Sequence, residues 1–160
     1  MLLALGLVLG LAVASAQAHE PGEMAVGGLV VYGSDIENVG LGGFFQYCIL
    51  EQVRGEAGYN FYFPKHDANF SEFNINAHYL LSLWEEKLYL FPIAGLNYSF
   101  TSLKDKILDH NYEENHIGLN LGCGVEYQYD DHIGFTARYR HTLVRKVDQG
   151  VFELGACYKF

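Results

Sequence analysis

The sequence predicts an all-β fold: an eight-stranded antiparallel up-and-down transmembrane β-barrel preceded by a signal peptide. Three observations predict it. The first 18 residues are apolar and carry no charged side chain, eight later segments alternate apolar with polar residues, and the connections between those segments alternate in length. A chain of 160 residues is long enough for one such domain and too short for two.

The N-terminal segment has the features of an export signal. Residues 1–18 end in Ala16-Gln17-Ala18, the small-x-small pattern after which signal peptidase cleaves. The apolar stretch at 2–13 is too short to cross about 30 Å of hydrocarbon as a helix. We therefore predict a signal peptide at 1–18 and a barrel domain at 19–160.

Eight segments beyond the signal carry the two-residue period of a β-strand. Each is close to the roughly 9–11 residues that a tilted strand needs to cross a membrane, or slightly longer. The predicted strands occupy residues 23–33, 41–50, 53–63, 71–83, 88–100, 116–129, 132–143 and 151–160.

The alternation separates an uncharged face from a charged one. In the segment 53–63, Tyr59 and Phe61 share one face, while Arg54 and Glu56 lie on the other. The segments 71–83, 116–129, 132–143 and 151–160 likewise keep every interior charge on the second face. Because a lipid-facing charge near mid-bilayer costs about 2–4 kcal/mol, we predict that the uncharged face contacts lipid.

The connections indicate which strand ends lie together. The longer ones are predicted at 34–40, 64–70, 101–115 and 144–150, and the shorter ones at 51–52, 84–87 and 130–131. This alternation places the short turns and both chain ends at one end of the barrel. Pro92 lies inside a predicted strand and has no N–H to donate, so we expect a bulge or a lipid-side distortion there.

The C-terminus carries the most specific pattern. Glu153, Gly155, Tyr158 and Phe160 fit a polar-x-Gly-x-x-apolar-x-aromatic motif that ends at the last residue. Here the chain resembles the OmpA- and OmpX-like small barrels of Gram-negative outer membranes. The resemblance implies that these four residues form a signal read by the barrel assembly machinery. It also implies an outer-membrane location with periplasmic N- and C-termini.

The inward face of the predicted barrel contains an unusual number of charged residues. An eight-stranded barrel is just wide enough for its side chains to fill, so these residues are expected to form a plugged core of ion pairs. Pairing residue 62 with residue 72 would place Glu56 opposite His78. The predicted luminal residues are Arg54, Glu56, Glu72, His78, Glu126, Arg138, Arg140 and Glu153.

The composition excludes some functions and leaves three. With 10 Lys and Arg against 19 Asp and Glu, and no basic cluster, nucleic acid is excluded as a partner. The remaining candidates are a structural or adhesion-like surface barrel, a narrow porin-like channel, and a lipid A-modifying enzyme. The first is favoured, with the loop 101–115 as the contact region. Its candidate contact residues are Lys104, Asp105, Lys106, Asp109, Glu113 and Glu114.

No catalytic, cofactor or metal site is predicted. His141 and Thr142 with Glu153 come nearest to a catalytic group, but no Ser accompanies the histidine. The other histidines are scattered, without metal-ligand spacing. The expected partners are outer-membrane lipid with lipopolysaccharide, the assembly machinery, and an extracellular ligand at 101–115. We also expect the protein to be monomeric.

Overall fold

The structure is a computed structural model. It describes residues 20–65, 68–84, 87–104, 111–143 and 148–160, with the side chains at 65, 68, 103–104 and 111–114 left out. The predicted signal peptide at 1–18 lies outside the described residues. Within the described ranges, no helix is long and apolar enough to span a bilayer.

The described residues form nine antiparallel strands. They correspond to the predicted segments, with one segment divided in two and several strands longer than predicted. The strands are β1 (Met24–Gly33), β2 (Asn38–Leu50), β3 (Val53–Lys65), β4 (Ala68–Tyr79), β5 (Leu81–Trp84), β6 (Leu88–Lys104), β7 (Asn111–Gln128), β8 (Ile133–Leu143) and β9 (Gln149–Lys159).

These strands close into one barrel. Their order is β4-β3-β2-β1-β9-β8-β7-β6-β5, and a further pairing of β4 with β6 closes the sheet. Because β4 and β5 both pair with β6, they are successive parts of one wall strand, and the barrel has eight. The predicted eight-stranded up-and-down barrel is therefore confirmed.

The division between β4 and β5 lies opposite Pro92. The β4–β6 ladder ends at His78 and Ile93, and the β5–β6 ladder resumes at Leu81 and Leu90 in the same register. The ladder is thus interrupted without an inserted residue, so the bulge expected at Pro92 is absent. The two missing pairs are Tyr79 with Pro92 and Leu80 with Phe91. Both would need a hydrogen bond from the N–H of residue 92 to the carbonyl of Tyr79, and proline has no N–H.

The strands are staggered around the barrel. Following the paired residues from Leu143 around the whole ladder leads back to β8 at Ile133, ten residues away. Such a stagger tilts the strands by roughly 35–45° from the barrel axis. Side chains that meet across the interior therefore come from positions far apart in the sequence.

The outward face is apolar and the inward face contains the charges. Phe61, Ile75 and Leu119 are 39%, 55% and 54% exposed, whereas Arg54 and Glu126 are each 1% exposed. A water-soluble barrel would place these two sets the other way round. This arrangement is the one that a barrel surrounded by lipid requires.

The two ends of the barrel differ. One end, here called the turn end, carries both chain ends of the barrel and the connections at 51–52, 85–87 and 129–132. The opposite end, the loop end, carries the connections at 34–37, 66–67, 105–110 and 144–148. These are shorter than predicted because residues that the sequence assigned to the connections extend the strands and continue the hydrogen-bonded ladder.

The β6–β7 hairpin is the longest part of the sheet. Its strands have 17 and 18 residues, and the pairing of β7 with β8 begins only at Leu119. Among the described residues, 111–118 pair with β6 alone. At the loop end this hairpin therefore continues beyond Leu143, the last residue of β8 that the structure describes.

Candidate functional site: the barrel interior

All eight residues predicted for the lumen lie inside the barrel. Each is at most 6% exposed, and they come from β3, β4, β7, β8 and β9. Lys159, which the sequence prediction missed, joins them at 5% exposure. It has the same strand parity as Glu153, so the alternation in β9 could have identified it.

The first cross-lumen ion pair connects β3 to β7. Arg54 Nη1 lies 2.8 Å from Glu126 Oε2. The other carboxylate oxygen of Glu126 lies 3.3 Å from Lys159 Nζ, and that ammonium group also contacts Gln128 Oε1. Glu126 therefore links an arginine from the opposite wall to the lysine of the last strand.

A second pair crosses the lumen in the opposite direction, from β8 to β3. Arg138 Nη1 donates to Glu56 Oε2 over 2.6 Å, and Arg138 Nε lies 2.7 Å from Glu153 Oε2. Gln46 donates to the same oxygen of Glu56 at 2.7 Å. Glu126 pairs with Thr136 in the ladder, so Arg138 is its diagonal neighbour, but the ion pairs of Arg138 are with Glu56 and Glu153.

The third link starts at Arg140 and is the most branched. Its Nη2 contacts Glu72 Oε1 on β4 and lies 3.0 Å from Glu153 Oε1. Its Nη1 donates to Asn74 and Asn120 at 3.0 Å each and to Thr142 at 2.9 Å.

Glu72 also accepts hydrogen bonds at 2.8, 3.2 and 2.9 Å from Asn60, Tyr62 and Asn97.

His78 lies between the first two links, but not opposite Glu56. Its ladder partner is Arg54, whose Nη2 donates to His78 Nδ1 over 3.4 Å, and its Nε2 is 3.9 Å from Glu56 Oε1. The predicted pairing of residue 62 with 72 is wrong, since Tyr62 pairs with Phe70. The reason is that β3 continues to Lys65 and β4 begins at Ala68, within the segment 64–70 that the sequence assigned to the connection.

The ionised groups of the interior are matched in number. Among the described buried side chains, four are cationic and four are carboxylates, and each carboxylate lies within 4.0 Å of a cationic group. Removing such charges from water costs several kcal/mol per ion unless partners compensate. The cationic residues are Arg54, Arg138, Arg140 and Lys159; the carboxylates are Glu56, Glu72, Glu126 and Glu153.

Part of the interior is apolar, which the sequence prediction did not anticipate. On β1 the inward residues Ala25, Leu29 and Val31 pack with Phe44 and Val151. A second cluster consists of Leu80, Tyr89, Phe91 and Ile93, from β6 and the β4–β5 junction. The signal was visible in the β1 sequence MAVGGLVVYG, in which both faces are apolar.

Two aromatic rings join the apolar clusters to the ion pairs. The Arg54 guanidinium lies 5.2 Å from the centre of the Phe91 ring, and that of Arg138 lies 4.8 Å from the centre of the Phe44 ring. His78 stacks on Phe91 with the ring centres 4.9 Å apart. Cation–π contacts of this kind add attraction that does not depend on a carboxylate.

At the loop end, the β1–β2 turn packs over the interior. Ile36 packs against the cluster on β1. The Asp35 carboxylate accepts hydrogen bonds from the Gly150 amide at 2.9 Å and from the Ser34 hydroxyl at 3.0 Å. The Gly150 and Ser34 donors, and more weakly His141, lower the pKa of Asp35 from its usual 3.8. This turn is therefore fastened to the start of β9.

The proposed assembly residues occupy β9 and the turn end. Glu153 points inward to Arg138 and Arg140, while Tyr158 and Phe160 are 51% and 59% exposed on the outer face. A Cβ on Gly155 would lie 2.1 Å from the carbonyl oxygen of Gly28, so only glycine allows β1 and β9 to approach this closely.

The structure describes the candidate loop contacts only in part. Lys104 ends β6, and Glu113 and Glu114 pair with Ser102 and Thr101 inside the hairpin, so these residues belong to strands and not to a loop. Their side chains are not among those described. Asp105, Lys106 and Asp109 lie outside the described residues.

The residues nearest to a catalytic group do not converge. His141 is half-buried on the outward face, whereas Thr142 and Glu153 point inward. Thr142 donates to Asn120, and Glu153 pairs with two arginines. Within the described part of the chain, no three His, Cys, Asp or Glu side chains are grouped as metal ligands.

Comparisons with known proteins agree with this architecture. A family model described as "Outer membrane protein beta-barrel domain" matches residues 3–160. The N-terminal barrel of Pseudomonas aeruginosa OprF is 15% identical with a TM-score of 0.76, covering 89% of this chain and 100% of that one. The attachment invasion locus protein Ail of Yersinia pestis is 16% identical, with a TM-score of 0.66 and coverage of 88% and 100%.

Neisserial surface protein A gives a similar result. It is 17% identical with a TM-score of 0.69, and the match covers 88% of this chain and 98% of that one. At such identities the likeness shows a shared fold alone. No curated protein sequence matches the chain.

Proposed function

We propose that this chain, which belongs to the outer membrane protein beta-barrel domain family, is a closed outer-membrane barrel with a structural and surface-contact role. The observation that supports a closed barrel is the set of three arginines that reach across the lumen to carboxylates on the opposite wall. Neither a channel nor an enzyme has comparable support from the interior.

The ion-pair network favours a plugged lumen over a pore. Arg54, Arg138 and Arg140 each cross the lumen, in two opposite directions. A solute would have to separate these pairs and leave buried charges uncompensated, which costs about 3–5 kcal/mol for each broken pair. At the loop end, Ile36 and Phe70 pack on the apolar cluster and add a further obstacle.

The surface-contact role is proposed for the β6–β7 hairpin. In barrels of this class the short turns and chain ends face the periplasm and the longer loops face outward. With that orientation, the hairpin that continues beyond β8 is directed away from the cell. Similarity to Ail, named for attachment and invasion, is consistent with an adhesion-like role.

Planar-bilayer recordings test the closed lumen. We expect no discrete conductance steps from the wild-type barrel. The double variant Glu56→Ala/Arg138→Ala removes one cross-lumen pair, and Glu153 keeps Arg140 as its cationic partner, so small steps should appear. Steady steps of equal size from the wild type and the double variant would contradict the closed lumen.

Attachment of bacteria to an epithelial cell monolayer tests the hairpin. Replacing residues 104–113 by a short Gly-Asn turn should abolish the attachment conferred by the wild type. Asp131→Ala, at the opposite end of the barrel, is the control and should attach normally. If bacteria carrying the shortened hairpin attach as well as the wild type, this role is wrong.

We further propose that the barrel is monomeric and that Phe160, with Glu153, Gly155 and Tyr158, directs its assembly. Phe160→Ala should lower the amount of folded barrel in the outer membrane. Phe152→Ala is a matched control, since Phe152 is a phenylalanine of β9 that is 54% exposed on the outer face, and Phe160 directly follows that strand. Equal losses for both variants, measured as heat-modifiable protein on detergent gels, would show that the C-terminal residue has no special role.

A further inference from the structure

The lipid-facing wall has a depression where β7 and β8 meet. Leu90, Val125, Ala137 and Leu154 form one row of ladder partners across β6 to β9. The next row towards the loop end contains Pro92, Cys123, Tyr139 and Phe152. The small side chains of Ala137 and Cys123 lie diagonally between larger ones, and the wall is hollow at that point.

The depression has the size and chemistry of a site for hydrocarbon. Its volume is about 390 Å³, and its exposed lining is almost entirely apolar. A dry cavity of about 150 Å³ holds benzene, so a depression of this volume, open on its lipid side, can take a segment of an acyl chain. Along the strands it is bordered by the rings of Tyr139 and Phe152, whose centres are 4.8 Å apart.

The position of Tyr139 indicates that the depression lies close to the membrane boundary. A Cβ on Gly150 would lie 2.9 Å from Tyr139 Oη and 2.8 Å from Ser34 Oγ. The Tyr139 hydroxyl therefore reaches the loop end, next to the β1–β2 turn, while its ring borders the hollow. Tyrosines with one wet and one dry end are typical of the interface between headgroups and hydrocarbon.

We propose that this depression binds one acyl chain of lipopolysaccharide. The hollow is continuous with the apolar belt that contacts lipid, and it begins just below the loop end. The choice of lipopolysaccharide over phospholipid rests on the proposed orientation, in which the loop end faces outward. A chain held between Leu90 and Leu154 exchanges more slowly than chains lying on the rest of the wall.

Native mass spectrometry of the refolded barrel, released from micelles titrated with rough lipopolysaccharide, tests the proposal. We expect the wild type to retain one lipopolysaccharide molecule. Ala137→Leu fills the hollow and should lower the retained fraction at least five-fold. Ala57→Leu adds the same atoms to the lipid face of β3 and should remain within two-fold of the wild type. All three proteins should be equally heat-modifiable on gels.

Several outcomes would overturn the proposal. Equal retention by all three proteins, or an equal loss in both variants, would show that the hollow holds no particular chain. Equal retention of phosphatidylethanolamine in a parallel titration would remove lipopolysaccharide as the occupant. A dimer without bound lipid, lost in Ala137→Leu, would assign the hollow to a second copy.

The orientation is tested separately. An epitope tag inserted at 105–110 should be accessible to antibody on intact cells. An inaccessible tag would overturn the orientation, and with it lipopolysaccharide as the occupant, even if acyl chains were still retained in micelles.

Discussion

The inward faces of β1 and β3 differ although both strands present an apolar face to lipid. β1 directs Ala25, Leu29 and Val31 into the interior, whereas β3 directs Arg54 and Glu56 there. The lipid face has one requirement, the absence of charge. The interior accepts either apolar packing or buried charges that each have an oppositely charged partner.

Substitutions in the apolar part and in the charged part of the interior destabilise the barrel for different reasons. Truncating an apolar residue on the β1 side leaves a cavity, which costs in proportion to the volume lost. Removing one member of the charged network leaves its partners buried and uncompensated. Single substitutions should therefore be costlier on the charged side, and the effect should depend on which partners remain.

The largest effect is expected for Arg140→Met. This change removes the arginine that pairs with Glu72 and leaves Glu153 with Arg138, and we expect the free energy of unfolding to fall by about 3–5 kcal/mol. Urea titration of the folded barrel in lipid vesicles measures it. Adding Glu72→Gln should recover part of the loss, because that carboxylate no longer needs a cation. A loss below about 1 kcal/mol would show that the network is not the stabilising element.

Leu29→Ala probes the other side of the comparison. Leu29 is 6% exposed within the cluster on β1, and the cavity should cost about 2–4 kcal/mol in the same titration. Val30→Ala on the lipid face of the same strand is the control and should cost less, since Val30 is 53% exposed. If both substitutions cost the same, the inward apolar cluster is not packed as described.

Pro92→Val should have a smaller effect of opposite sign. The new N–H can donate to the carbonyl of Tyr79, and valine is suited to a lipid-facing strand position. We expect a gain of about 1 kcal/mol, the usual net value of one hydrogen bond. No gain, or a loss, would mean that the interruption between β4 and β5 has another cause than the missing N–H.

The smallest effect concerns the turn at the loop end. Because the pKa of Asp35 is lowered below 3.8, its contribution to stability is present above pH 3.8 and is lost as the pH falls through the folded-state value. The amide resonance of Gly150 should report that step in an NMR titration, and Asp35→Asn should remove it. A pH-independent Gly150 resonance in the wild type would contradict the contact.

The strand count and the lipid-facing set could be predicted because both follow from short-range rules. A charge on the outer face is costly wherever it occurs, so the alternation in segments such as 53–63 reveals that face directly. The luminal charges could be predicted because alternate residues of a strand face opposite sides of the wall. Lys159 could have been found in the same way.

Ladder register and partner choice could not be predicted from the same rules. The pairing of Tyr62 with Phe70 depends on how far β3 and β4 continue and on the register shift between Tyr62 and Lys65, which the residue pattern does not reveal. Arg138 lies diagonally next to Glu126 but pairs with Glu56 and Glu153. Glu153 is its ladder partner on β9, whereas Glu56 lies across the lumen and is brought within reach by the barrel's stagger, the combined result of eight separate pairings.

The separation of the ion-pair partners along the chain has a consequence for biogenesis. Arg54 and Glu126 are 72 residues apart, and Glu56 and Arg138 are 82 apart. Hairpins between neighbouring strands can form early, but these salt bridges must wait until the second half of the chain has docked, which is the slow regime of high contact order. An incomplete polypeptide would expose unmatched ions to hydrocarbon, which strongly disfavours crossing the bilayer one strand at a time.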